Sequence, residues 1–138
     1  MGDKTYQGSC LCGEVHFEVT GPFTTFQYCH CSRCQKVSGS AHAANLFVKG
    51  PQFRWTRGED MVERFQSPEA KYFATSFCRT CGAKLPWQPT GVTTMVIPAG
   101  AMDSDPEVRP ERNIFRDSGP CWYREPADLQ SFATLPGR

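Results

Sequence analysis

The sequence predicts a mainly β, single-domain protein, and three observations support this prediction. Short segments rich in β-branched and aromatic residues recur along the chain, and most of them lie near Gly, Pro or Ser. One segment alone, residues 32–37, is a plausible early helix, and it is only one or two turns long. The 138 residues suit one hydrophobic core, and no linker divides them.

The first predicted strand covers residues 14–19, where apolar and polar side chains alternate strictly. Val15, Phe17 and Val19 therefore share one buried face, and His16 lies on the polar face. Turns are predicted at 50–51, 57–60 and 89–91, because Gly and Pro supply the backbone angles that a reversal needs. The further predicted strands are 25–28, 46–48, 52–55, 61–65, 71–77, 85–88, 92–97 and 113–115. Residues 98–110 are predicted as loop, and 128–135 as a closing turn or a disordered segment.

Composition excludes several classes of protein. No apolar segment approaches the roughly 20 residues that cross a bilayer, and the first ten residues lack the apolar core of a secretion signal. The formal net charge of +1 is far from the strongly basic balance of nucleic-acid-binding proteins. We therefore expect a cytoplasmic protein with neither a membrane nor a nucleic-acid partner, whose thiols stay reduced.

Seven of the eight cysteines fall into three clusters, which is the strongest signal in the sequence. The clusters are Cys10 with Cys12, Cys29 with Cys31 and Cys34, and Cys78 with Cys81. The last cluster is a Cys-x-x-Cys-Gly turn, which directs two thiolates at one point and supplies half of a tetrahedral zinc site. The first pair is the natural partner, giving a closed four-thiolate structural site whose metal contributes directly to folding.

The middle cluster, Cys29, Cys31 and Cys34, predicts a different kind of zinc site. Three protein ligands and an open fourth position are the arrangement of a catalytic zinc. Three thiolates make zinc a weaker Lewis acid than three histidines do, so the site suits a thiol substrate that binds as thiolate. The alternative on ligand count is a second structural site, with His30, His42 or Cys121 as fourth ligand. Cys121 is otherwise interpreted as a small buried hydrophobic residue.

The three clusters and their neighbours resemble the glutathione-dependent formaldehyde-activating enzyme family, which also includes centromere protein V. The likeness extends through Gly58, the Pro98-Ala99-Gly100 segment and a tail between Pro110 and Trp122. It covers about residues 8–132 of a single predicted domain, residues 1–138. The family usually has His where this chain has Asn113.

The resemblance implies an antiparallel β fold around a zinc ribbon-like centre, called a β-tent. It implies two zinc ions per chain, a structural one on the first and last clusters and a catalytic one on the middle cluster. The implied activity is that of a carbon–sulfur lyase, which joins glutathione and formaldehyde to S-hydroxymethylglutathione or reverses that reaction. The expected partners are therefore a small-molecule thiol and an aldehyde.

Four further side chains are candidates for this chemistry. His30 and His42 are the histidines close in sequence that could give a proton to the developing alkoxide, and Arg33 or Lys36 could receive a glutathione carboxylate. The alternatives are a histidine that bonds to the backbone and two solvated cations. Two other functions also fit the sequence, a non-catalytic zinc-stabilised binding module with two structural sites and a thiol-based metal or redox sensor.

Overall fold

The computed structural model describes residues 3–137 and confirms the mainly β fold. Within these residues there are ten strands and one α-helix, α1, which covers Ser32–Ser38. The strands are β1 (Thr5–Ser9), β2 (His16–Thr20), β3 (Thr25–Cys29), β4 (Ala43–Lys49), β5 (Phe53–Arg57), β6 (Val62–Gln66), β7 (Ala74–Cys78), β8 (Lys84–Leu85), β9 (Thr94–Pro98) and β10 (Arg112–Ile114). No helix in this part of the chain has the length and apolar character needed to cross a membrane.

The strands form three small sheets, in the orders β1-β2-β5, β10-β3-β4-β9 and β6-β7-β8. Neighbouring strands are antiparallel, except that β10 lies parallel to β3. The parallel pair arises because the chain returns from β9 through a long loop before β10 begins. This return brings the C-terminal part of the chain to the end of β3, where the middle cysteine cluster starts.

The hydrophobic core joins residues of all three sheets. Phe17 and Val19 of β2 are fully buried, as the alternation of the first predicted strand requires, and Leu46 of β4 and Ile97 of β9 pack in the same cluster. Cys78, at the end of β7, also belongs to this core and is fully buried. The last cysteine cluster is therefore anchored to the centre of the molecule.

The structure differs from the sequence prediction at several strand ends. Strand β1 was not predicted, because its sequence TYQGS has no apolar alternation. The predicted strand 85–88 is reduced to β8, because Pro86 has no N–H to continue the ladder. Strand β7 begins at Ala74, later than the predicted start at residue 71. Residues 128–135 contain only the end of a short 3₁₀ turn, Pro126–Asp128, and Leu129 and Phe132 are exposed.

Candidate metal centres

The first and last cysteine clusters meet in space. The sulfur atoms of Cys10, Cys12, Cys78 and Cys81 all lie within 4.8 Å of one another. The Sγ atom of Cys12 is 3.6 Å from that of Cys10 and 3.8 Å from that of Cys78, 66 residues away along the chain. All four thiols are free, so this cluster could hold a metal ion.

The backbone around this four-sulfur cluster favours thiolates. The N–H of Val15 donates to the Cys10 sulfur at 3.3 Å. The N–H of Ala83 donates to Cys81 and, with smaller contributions from its neighbours, lowers the pKa of that thiol to about 6. Gly82 makes this turn possible, since its φ of 75° lies in the left-handed region that other residues avoid. The turn thus favours the deprotonated form of Cys81 that a metal ligand requires.

The middle cluster converges at the junction of β3 and α1. Cys29 is the last residue of β3, Cys31 caps the N-terminus of α1, and Cys34 lies in its first turns. Their three sulfur atoms also lie within 4.8 Å of one another. The N–H of Cys34 donates to the Cys31 sulfur at 3.4 Å, so the helix start itself orients the ligands. This cluster could hold a second metal ion.

The three thiols of this cluster do not titrate alike. The hydrogen bond from the Cys34 thiol lowers the pKa of Cys29 to about 6. The same contact raises the pKa of Cys34, which is also buried. Two sulfurs therefore share one proton, and a cation that replaces this proton would relieve the repulsion between thiolates.

The three-sulfur cluster has no fourth protein ligand within residues 3–137. No His, Asp, Glu or further Cys of this part brings a ligand atom within 4.8 Å of all three sulfurs. His30 and His42 lie nearby but do not join the cluster, and Cys121 does not join it either. The interpretation of Cys121 as a buried residue is wrong, because the polar tail around it leaves its side chain exposed. The described residues thus leave one position of a tetrahedral site free.

His30 is fixed in a buried position behind the three-sulfur cluster. Its ring Nε2 lies 2.8 Å from the Asn113 Oδ1, and because a carbonyl oxygen accepts, Nε2 carries the hydrogen. Its backbone N–H donates to the Ile114 carbonyl at 3.0 Å, which ties it to β10. The ring Nδ1 is buried and has no hydrogen-bond partner among the described residues. Asn113 thus orients the His30 ring.

His42 lies next to His30 at the start of β4. Its ring centroid is 5.0 Å from that of His30 and 4.4 Å from that of Tyr28, on which it stacks. Burial, followed by the charges of His30 and Arg116, lowers the pKa of His42 below its ordinary value of 6.5. Its buried Nδ1 also has no partner among the described residues. His42 is therefore a neutral ring near neutral pH.

A cleft of about 610 Å³ opens between the two cysteine clusters. Cys34 and His42 line it, and so do Cys10 and Leu11. The residues that complete its wall come from distant parts of the chain, and the sequence analysis gave none of them a role in a binding site. They include Phe73, Trp87, Lys84, Pro98, Gly100, Ala101 and Asp103.

Arg33 and Lys36, the cations that the sequence analysis singled out, lie outside this cleft. Both side chains are exposed on α1. The Arg33 guanidinium lies 6.0 Å from the centroid of the Phe73 ring, so it reaches the outer edge of the cleft wall. A ligand charge outside the cleft could meet these cations near the three-sulfur cluster.

The fold and the site together define the class of this protein. It is a small β protein in which two cysteine clusters beside one cleft could hold metal ions. The chain belongs to the glutathione-dependent formaldehyde-activating enzyme family, whose model matches residues 5–118. This membership confirms the resemblance that the cysteine motifs indicated.

Two further comparisons agree with the family. A protein of Halomonas elongata named "Putative glutathione-dependent formaldehyde-activating enzyme" is 31% identical over 127 residues, which cover 84% of this chain and 78% of that protein. A crystal structure of a Rhodobacter sphaeroides protein matches with a TM-score of 0.61 at 24% identity, covering 78% of this chain and 97% of that one. The similarity to the Rhodobacter sphaeroides structure concerns the fold alone.

Proposed function

We propose that this protein is a zinc-dependent enzyme of the carbon–sulfur lyase type, which joins a thiol and an aldehyde in the reducing cytoplasm. The default substrates are glutathione and formaldehyde, and the product is S-hydroxymethylglutathione. One observation carries this proposal: Cys29, Cys31 and Cys34 converge without a fourth protein ligand within residues 3–137, and Cys34 lines a cleft. Family membership and the name of the Halomonas relative support the choice of substrates.

The two clusters fit zinc because both offer only sulfur donors at mutual distances within 4.8 Å. Cys10, Cys12, Cys78 and Cys81 would hold a structural ion, and Cys29, Cys31 and Cys34 a catalytic one. When bound at the three-sulfur cluster, zinc supplies a Lewis-acid position that stabilises a substrate thiol as thiolate.

The side chains of the chain supply positioning and proton transfer. Attack by the thiol sulfur on the carbonyl carbon forms a carbon–sulfur bond and leaves an alkoxide, which needs a proton. His42 is proposed to carry this proton, because a neutral ring can first accept it from the thiol and then give it to the alkoxide, and because His42, like Cys34, lines the cleft. His30 is proposed as a positioning residue, which Asn113 holds against the His42 ring.

Asn113 stands where the family usually has His, and we propose that it orients His30 in this chain. Its amide oxygen accepts from the His30 Nε2 at 2.8 Å. It does not titrate near neutral pH, so it orients the ring without competing for a proton. Arg33 and Lys36 are proposed to receive the carboxylates of glutathione, since both cations are exposed on α1 beside the three-sulfur cluster.

The proposal is tested by exchange NMR on a mixture of glutathione and formaldehyde, which measures the rate at which adduct and free aldehyde interconvert. We expect wild type to accelerate this exchange and Cys31→Ser to return it to the uncatalysed rate. Cys121→Ser is the matched control, because this exposed thiol lies outside both clusters. If Cys31→Ser accelerates the exchange as much as wild type does, the three-sulfur cluster is not catalytic. If folded, metal-loaded wild type does not accelerate the exchange, the result favours a non-catalytic binding module.

A further inference from the structure

We propose that the cleft binds an apolar substituent of the aldehyde, so that the substrate class extends to aryl and branched alkyl aldehydes. This inference rests on the proposed function and specifies its substrate. Formaldehyde has no substituent that could contact the wall of this cleft of about 610 Å³ beside the sulfur cluster.

Part of the cleft wall is apolar. Small side chains, such as Ala44 and Ala101, line it together with the rings of Phe73 and Trp87. These two ring centroids are 5.5 Å apart with planes inclined at 55°. A flat or branched apolar group would lie against these rings and lose its contact with water, which stabilises the complex.

The charged residues of the cleft do not oppose an apolar occupant. Asp103 accepts a hydrogen bond from the Ser9 hydroxyl at 2.7 Å. The Lys84 ammonium lies 5.2 Å from the centroid of the Phe77 ring, where it has a favourable cation–π contact. Both groups thus have a contact within the protein, which lowers the cost of covering them with an apolar substituent.

The positions of the reacting groups suggest how the aldehyde substituent is oriented in the cleft. Cys34 and His42 both line the cleft, so the proposal puts the carbonyl carbon beside them and the substituent against Phe73 and Trp87, which line the same cleft. The exposed cations of α1 lie outside, where the charged ends of glutathione do not compete for the cleft. In the reaction the sulfur–carbon bond forms, the C=O double bond becomes a single bond, and the thiol proton moves to oxygen. No oxidant or reductant is needed.

Two stable thioethers test this inference on the zinc-loaded protein by calorimetry. S-benzylglutathione imitates the adduct of an aryl aldehyde, and S-methylglutathione imitates that of formaldehyde. We expect S-benzylglutathione to bind about tenfold more tightly or better, because its ring enters the cleft. Equal affinities for the two compounds would overturn the inference.

A variant in which a larger side chain fills the cleft provides a second test of this inference. Gly100 lines the cleft and a Cβ added there meets no atom within 4 Å, so Gly100→Phe is chosen to fill the cleft. The ratio of the two affinities should then fall to about one. Thr56→Phe, at an exposed position of β5 outside the cleft, should keep the wild-type ratio. The same ratio in both variants would contradict the assignment of the ring to the cleft.

Benzyl alcohol separates a failure of this inference from a failure of the proposed function. It carries no thiol and no glutathione, and we expect it to shift the amide NMR signals of Ala44 and Ala101. If these signals shift while neither thioether binds, the apolar cleft stands and glutathione is the wrong thiol. If benzyl alcohol shifts neither signal, the inference is wrong whatever the thiol.

Discussion

At the scale of single residues, position alone divides eight chemically identical thiols into three groups. Cys78 is fully buried in the core, Cys31 is half-buried at the start of α1, and Cys121 is exposed. A metal ligand in the core can connect segments that are far apart in the sequence, whereas one at a helix start connects only neighbouring residues. The loss of one thiol should therefore have different consequences in the two clusters.

Cys81→Ser should prevent stable folding, because it opens the four-sulfur site that joins segments 66 residues apart. Structural zinc sites contribute about 10 kcal/mol or more to folding, as much as the whole stability of a typical domain. Cys31→Ser should keep the fold and lose one zinc. Circular dichroism with metal analysis measures both, Cys121→Ser is the control, and a well-folded Cys81→Ser protein would contradict the structural site.

The lowered pKa of His42 predicts how stability depends on pH. Since the folded state disfavours the charged ring, the unfolded chain takes up the proton first as the pH falls below 6.5. Protonation of this residue therefore lowers the free energy of unfolding in acid. When the pH falls from about 7.5 to 5.5, that free energy should decrease less in His42→Phe than in wild type. Denaturant titrations at the two pH values measure the difference. An equal loss in both proteins would contradict a half-buried, neutral His42.

At the scale of elements, the packing of β1 on β2 depends on one glycine. Gly8 lies opposite Phe17 in the register of the two strands. A Cβ at this position would overlap the Phe17 ring, which is fully buried and cannot move aside. The glycine of the first cysteine motif thus permits β1 to approach the core and to carry Cys10 to its site.

Gly8→Ala should lower the free energy of unfolding by about 1–3 kcal/mol, because the added methyl group overpacks the core. Gly100→Ala is the matched control, since a Cβ there meets no atom within 4 Å and should change stability by less than about 0.5 kcal/mol. Thermal unfolding followed by circular dichroism compares the two variants. Equal stability of both would contradict the contact between Gly8 and the ring.

The sequence predicted elements whose signal is local. The alternation of Val15, Phe17 and Val19 predicted the buried face of β2, and the spacing of the cysteines predicted both clusters. Strand β1 was missed because glycine and polar residues give no alternation, although its partner requires close approach. The cleft was missed because Phe73, Trp87 and Asp103 are far apart in sequence and meet only after the sheets have formed.

At the scale of the whole molecule, the two clusters have different connections to the fold. Cys10 and Cys78 belong to the hydrophobic core, whereas Cys29, Cys31 and Cys34 belong to one strand end and one helix start. Loss of a metal ion from the first cluster would therefore free two distant segments at once. Loss of an ion from the second would free only a local turn.

A strong chelator should remove zinc in two phases. The three-sulfur cluster should lose its ion first and leave the fold intact, because this cluster is open on one side. The four-sulfur cluster should release its ion later, together with unfolding. A colorimetric zinc indicator and circular dichroism recorded in parallel follow the two events. Release of both ions without any loss of structure would contradict the structural role of the first site.

Zinc X-ray absorption spectroscopy, recorded with and without glutathione, tests most directly the claim that one cluster is closed and the other open. We predict that the zinc-loaded protein shows mostly sulfur ligands with some contribution from a lighter atom. Added glutathione should replace this contribution by sulfur in wild type. In Cys31→Ser, which keeps only the closed site, the spectrum should be all sulfur and unchanged by glutathione. An all-sulfur wild-type spectrum that glutathione does not change would contradict the open site and the proposed chemistry.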